Sequence, residues 1–136
     1  VRGGFAALLA ACLIAVAPAV PASAAPAGEA CDVSYQPTPG GNGIFDVRII
    51  ITNTSGYDIT GWTLAFVLPP GQSYEGNPWE VIIVSDGSAV TGSNQPWNGP
   101  VKKDGKVQVG FKVRGPDYRV EPTRFTVNTE PCSVSP

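Results

Sequence analysis

From residue 31 onward, apolar side chains recur at every second position in short runs, and each run ends at Gly, Pro, Asn or Asp. Val33 and Tyr35 alternate with Asp32 and Ser34. Phe45, Val47, Ile49 and Ile51 alternate with Asp46, Arg48 and Thr52. Trp62, Leu64, Phe66 and Leu68 share one face of another run, and Val107, Val109, Phe111 and Val113 alternate with Lys106, Gln108, Gly110 and Lys112. Val81 to Val84 is a short apolar run followed by the turn Ser85-Asp86-Gly87-Ser88, with a hairpin return at Ala89 to Thr91. Phe125 and Val127 give a last strand. A period of two means strands with one buried face, and no segment of this region sustains the 3.6-residue period of a helix. The expected fold is therefore all-β, an antiparallel two-sheet β-sandwich.

Residues 1–24 read as a secretory signal peptide. Arg2 supplies a minimal positive start, Phe5 to Val16 an apolar stretch, and Ala22-Ser23-Ala24 a small-residue cleavage site. The stretch is too short and too rich in Ala for a membrane span. Residues 25–30 are a short Ala/Pro/Gly lead-in, 31–132 the folded domain and 133–136 a tail. Cleavage would leave about 112 residues, enough for one domain with a modest core. It would also remove Cys12, leaving Cys31 and Cys132 at the two ends of the domain. In an exported chain these two most simply form one disulfide.

The composition excludes much chemistry. The chain has no His, which removes His-based acid/base catalysis, Ser-His-Asp and Cys-His nucleophile systems and nearly every transition-metal site. Asp46, Asp58, Glu75, Glu80 and Glu121 leave a paired-carboxylate hydrolase as the formal alternative, yet each reads more simply as an outward or turn residue. The Asn53-Thr54-Ser55 sequon reads as silent in a bacterial host. The formal net charge is −2, and no basic stripe exists to hold nucleic acid or an anionic membrane. No cofactor, metal or catalytic residue is expected, and the partner is expected to be neutral.

Binding remains, and two tryptophans carry it. Trp79 lies in Gly-Asn-Pro-Trp-Glu and Trp97 in Gln-Pro-Trp-Asn-Gly. Both contexts read as turn or loop, where a large ring is displayed rather than packed. Trp62 begins an alternating run and reads as core. A pyranose ring presents a weakly apolar C–H face that packs on an indole. A stacked aromatic covers about 150–250 Å², worth a few kcal/mol at about 25 cal/mol per Å². Sugar hydroxyls at the ring edge then need polar partners, and Asn77, Asn94, Gln95, Asn98 and Gln108 are at hand. Tyr74 reads as core, and Tyr118 as exposed.

In order and spacing, ten elements of the chain resemble carbohydrate-binding module family 2, the bacterial cellulose-binding domain. They are Cys31-Asp-Val-Ser-Tyr35, Phe45 with Ile51-Thr-Asn-Thr54, Gly61-Trp62-Thr-Leu64, Pro70-Gly71-Gln72, Trp79, Trp97-Asn98-Gly99, Gly110-Phe111, Pro122-Thr-Arg-Phe125, Asn128 and Cys132. The resemblance implies a jelly-roll-like sandwich with its terminal cysteines bridged. It also implies a flat face with three exposed tryptophans that adsorbs to crystalline cellulose, chitin or related β-glycans. Trp79 and Trp97 fall on the second and third of these positions, Trp62 on the family's core tryptophan, and Asn77 and Gln108 on its polar positions beside the rings. The first surface tryptophan is replaced by Gly41, and an Asn sometimes found three residues before the late Pro is replaced by Arg119.

The expectation is thus a secreted, extracellular, monomeric and non-catalytic module. It stacks Trp79 and Trp97 on a β-linked polysaccharide, cellulose first and chitin or xylan next. The alternative is a secreted β-sandwich for protein contacts or cell-surface structure whose glycan binding has decayed.

Overall fold

Each alternating run finds a neighbour that matches its period, so that all the apolar faces turn the same way. In the computed structural model, which describes Gly3, Gly4 and residues 30–136, ten strands form two sheets among the described residues. The first holds β1 (Cys31–Pro39), β2 (Ile44–Asn53), β4 (Ser73–Trp79), β7 (Lys106–Arg114) and β10 (Ser133–Ser135), in the order β10-β1-β2-β7-β4. The second holds β3 (Thr63–Val67), β5 (Val81–Asp86), β6 (Ala89–Asn94), β8 (Phe125–Val127) and β9 (Glu130–Pro131), in the order β5-β6-β3-β8-β9. The signal peptide expected over 1–24 and nearly all of the lead-in over 25–30 lie outside the described residues.

The core is the set of inward positions that the alternation marks. Val33 and Tyr35 on β1, Phe45 to Ile51 at alternate positions on β2 and Val107 to Val113 at alternate positions on β7 form one core with Leu64, Phe66, Val90, Phe125 and Val127 of the other sheet and with Trp62, the residue just before β3. Aromatic rings join the layers. Phe66 of the second sheet stacks on Phe111 of the first at 5.9 Å and meets Phe125 at 5.3 Å, within the range where ring pairs attract. Trp62 is core as expected, at 2 % exposure. The hairpin also falls where the turn residues put it. β5 and β6 are joined through Gly87, whose φ of 60° a two-residue primed turn requires, with Asp86 paired to Ala89.

Three features differ from the sequence reading. Phe125 and Val127 do not give the last strand, because Glu130–Pro131 turns back to pair with them as β9. Trp79 ends a strand, β4, because a bulged edge strand tolerates the Gly, Asn and Pro that otherwise read as loop. Its pairing with β7 slips between Tyr74 and Gly76 and again between Gly76 and Trp79. The tail 133–136 is also ordered. Ser133–Ser135 pair with β1 in parallel, so the first sheet is mixed rather than wholly antiparallel. The hydroxyls of Ser133 and Ser135 donate to the Asp32 carboxylate at 2.7 and 2.6 Å, and Ser34 donates to the Pro136 carbonyl at 3.0 Å. Short polar side chains here take the place of an apolar stripe, which is why alternation gave no strand signal.

Cys31 and Cys132 form the disulfide, spanning 101 residues of chain. A closure of this length restricts the unfolded chain, and its loss typically costs about 2–5 kcal/mol. Reduction is expected to lower the thermal unfolding midpoint by about 10 °C or more, measured by circular dichroism with and without reductant.

Candidate functional site

Because the inward positions of β7 are odd-numbered, Lys106, Gln108, Gly110, Lys112 and Arg114 face out of the first sheet. Trp79 is the pairing partner of Gly110. Its indole atoms Nε1, Cε2 and Cζ2 occupy the space that a Cβ on Gly110 would need. The glycine is thus a seat for the ring, and any larger residue there would push the ring off the sheet. Trp79 remains 45 % exposed. Gln108 lies two residues from that seat on the same outer face, about 7 Å along the strand. It is exposed and makes no side-chain hydrogen bond among the described residues. Asn77 sits in the bulge of β4 with φ 51°, a left-handed conformation that Asn tolerates better than most residues. It too is exposed and free of side-chain partners among the described residues.

Trp97 lies in the turn after β6 and is 66 % exposed. Its position relative to Trp79 is fixed through Glu80, the residue that follows Trp79 and has φ 59°. The Trp97 indole N–H donates to the Glu80 carboxylate at 2.8 Å, and the Asn98 amide donates to the Glu80 carbonyl at 2.7 Å. Asn98 is held in turn from below. Its carbonyl accepts the indole N–H of core Trp62 at 2.9 Å, and its side-chain oxygen accepts the Gln95 amide at 2.7 Å. A chain of polar contacts therefore runs from the buried Trp62 to Trp97 and to Glu80, the residue next to Trp79.

This network reassigns some of the amides. Asn98 spends both ends of its side chain on the turn. Asn94 does likewise, accepting from the Trp62 backbone N–H and donating to the Gln95 carbonyl. Neither amide is left for a ligand, whereas Asn77 and Gln108 are. Asn53 of the sequon is buried and donates to the carbonyls of Tyr57, Val101 and Lys102, which leaves no free amide to modify. Tyr74 packs against Phe111 as expected, with ring centroids 6.0 Å apart. Tyr118, expected to be exposed, is instead half-buried against Phe45 at 6.5 Å, because the loop after β7 folds back over that end of the core.

Four of the five carboxylates considered for catalysis have structural partners. Asp46 pairs with Lys112 at 2.8 Å, Asp58 accepts the Lys103 backbone amide, and Glu80 holds Trp97. Glu75 takes both arms of the Arg114 guanidinium, whose hydrogen bonds hold its carboxyl below the usual range. Arg119, where the family sometimes has Asn, folds onto Asp117 two residues away and lowers its pKa in the same way. Gly41 lies at the turn between β1 and β2, and a Cβ there meets nothing within 4 Å.

The alternation reading placed Arg48 without assigning it a role. It is the pairing partner of Gly110 on β2, so it flanks the seat of Trp79. Gln36 on β1 accepts two hydrogen bonds from its guanidinium, at 3.0 and 2.7 Å, and donates to Ser34 at 3.0 Å. Its outward parity was visible in the sequence. Its neighbours were not, because they depend on the register between strands.

Comparison with known proteins bears on the family and the fold. The family model described as a cellulose binding domain matches residues 31–132. Among curated relatives, "Exoglucanase B" of Cellulomonas fimi is 35 % identical over 106 residues, which is 78 % of this chain and 10 % of the relative. "Endoglucanase A" of Thermobispora bispora is 37 % identical over 90 residues, 66 % of this chain and 20 % of the relative. The chain thus spans a tenth to a fifth of these two enzymes. Among solved structures, the chitin-binding domain of Chi18aC from Streptomyces coelicolor superposes with a TM-score of 0.62 at 22 % identity, covering 77 % of this chain and 96 % of that one. At that identity the likeness concerns the fold. The family match is what identifies the module: over residues 31–132 this chain belongs to the cellulose-binding-domain family, a polysaccharide-binding module and not an enzyme.

Proposed function

We propose that the domain acts outside the cell as a monomeric module that adsorbs to β-linked glycan chains by stacking sugar rings on Trp79 and Trp97, with Asn77 and Gln108 hydrogen-bonding hydroxyls at the ring edges. The observation that carries this reading is the pair of large exposed rings held in place by internal contacts: Trp79 by its seat on Gly110 and Trp97 by Glu80. A ring already fixed loses little conformational freedom on binding, so more of the stacking energy appears as affinity. The relatives named as an exoglucanase and an endoglucanase favour a β-glucan, with cellulose the first choice. The chitin-binding domain among the solved structures keeps chitin as the second and xylan as the third. Gly41, standing where the resemblance expects a further tryptophan, favours weaker adsorption than a three-ring face would give. In the extreme it favours the alternative of a protein-contact or cell-surface domain with decayed glycan binding.

The test is adsorption to microcrystalline cellulose, chitin and insoluble xylan, measured by depletion from the supernatant. Trp79→Ala and Trp97→Ala are each expected to weaken adsorption by about tenfold or more, equivalent to ~1.4 kcal/mol or more. Their unfolding midpoints should stay within about 3 °C of wild type, as for other exposed substitutions. Wild type remaining in the supernatant with all three solids would refute the binding reading. Equal losses of stability would show that the rings serve the core.

Two further variants separate display from support. Asn98→Ala removes the side-chain bonds to the Glu80 carbonyl and the Gln95 amide, and keeps the backbone carbonyl that accepts from Trp62. It should lower stability by about 1–3 kcal/mol, the cost of leaving such groups unpaired, and weaken adsorption at the same time. Gly41→Trp places a ring where a Cβ meets no obstacle, and it should strengthen adsorption to crystalline cellulose by about tenfold without a change in unfolding midpoint.

A further inference from the structure

The outer face around Trp79 carries charge that internal pairing does not neutralise. Two of its cations are neutralised on the sheet: Lys112 by Asp46 at 2.8 Å and Arg114 by Glu75 at 2.9 Å. Arg48 is different. It is exposed, it is paired in register with the Gly110 seat, and its partner is the neutral Gln36 carbonyl oxygen rather than a carboxylate. Gln36 is itself fixed by its bond to Ser34, which donates to the Pro136 carbonyl. The nearest acid on the same strand face, Asp46, is taken by Lys112, and the Glu80 carboxylate by Trp97. Lys106, two positions beyond Gln108 on the same face of β7, forms no ion pair among the described residues.

An arginine fixed in place by a neutral partner keeps its full charge and still has N–H donors to offer. Its planar fork fits a carboxylate better than it fits a hydroxyl. Cross-strand neighbours lie about 5 Å apart at their Cβ positions, so a sugar lying on Trp79 has its edge within reach of this guanidinium. We propose that the face selects an acidic β-glycan: a chain whose sugar stacks on Trp79 while a uronate carboxylate on that sugar or the next one binds the Arg48 guanidinium. This rests on the stacking reading above and adds to it the chemical class of the ligand. It also replaces the neutral partner expected from net charge alone. The overall charge is −2, so attraction to an acidic polymer has to come from this local cation rather than from the molecule as a whole.

The probe is a matched pair of solids, microcrystalline cellulose and the same cellulose with part of its primary hydroxyls oxidised to carboxylates. At low ionic strength, wild type should adsorb about five- to tenfold more tightly to the oxidised solid, a gain that salt near 0.5 M should largely remove. Arg48→Gln should bring the ratio between the two solids to about one, and Arg48→Lys, which keeps the charge but loses the fork, should restore only part of it. Lys103→Gln, a charge loss in the loop before β7, should leave the ratio as in wild type. Equal adsorption of wild type to both solids overturns this proposal and leaves stacking intact, as does a preference that survives Arg48→Gln. Adsorption to neither solid overturns this proposal, and a failure to adsorb to chitin and xylan as well overturns the stacking reading with it.

Discussion

The inner faces of the two sheets meet through alternate residues, and that contact governs everything displayed outside. With Val107, Val109, Phe111 and Val113 committed to the core, Gln108, Gly110 and Lys112 must face outward. A slip of one residue would turn the whole set over, exposing four large apolar side chains. The cost of that exposure locks β2 and β7 in register. Arg48 is thereby placed beside Gly110, and the Trp79 indole over it.

The displayed rings depend on the same core through a second route. Trp62 is buried, and its indole N–H must find an acceptor because an unpaired donor there would be costly. The acceptor is the Asn98 carbonyl, which fixes the turn that carries Trp97. Asn98 then reaches Glu80, whose carboxylate holds the Trp97 ring. One buried hydrogen-bond requirement thus reaches the surface as a fixed ring position. The residues between, Asn94, Asn98 and Glu80, serve by support rather than by display.

Several parts of this arrangement were legible in the sequence. Alternation gave the strands with large apolar faces, the all-β class, the core place of Trp62 and the Gly87 hairpin, because each rests on period or on local backbone preference. It did not give β4, β9 or β10. β4 is an edge strand broken by bulges, and its Gly-Asn-Pro run carries turn residues in a paired segment. β10 is held by serine hydroxyls on Asp32 and has no apolar stripe to announce it. Tyr118 was misplaced for a related reason, since a residue in a Pro/Gly context gives no sign of which loop folds back on the core.

By itself the sequence determined which side chains alternate, which must be buried, that two tryptophans sit outside the apolar pattern, and that chemistry requiring His is unavailable. These follow from composition and from interactions within a few residues of chain. Only the tertiary structure decided that Trp79 rests on Gly110, that Trp97 is tied to Glu80, that Asn94 and Asn98 are spent internally, and that Arg48 stands unneutralised beside the Trp79 seat. Apart from the local bonds of Asn94 and Asn98 to Gln95, these contacts join residues 17 or more apart in sequence or depend on which strands lie side by side. Register between distant strands is set by the shared core, and no local pattern records it.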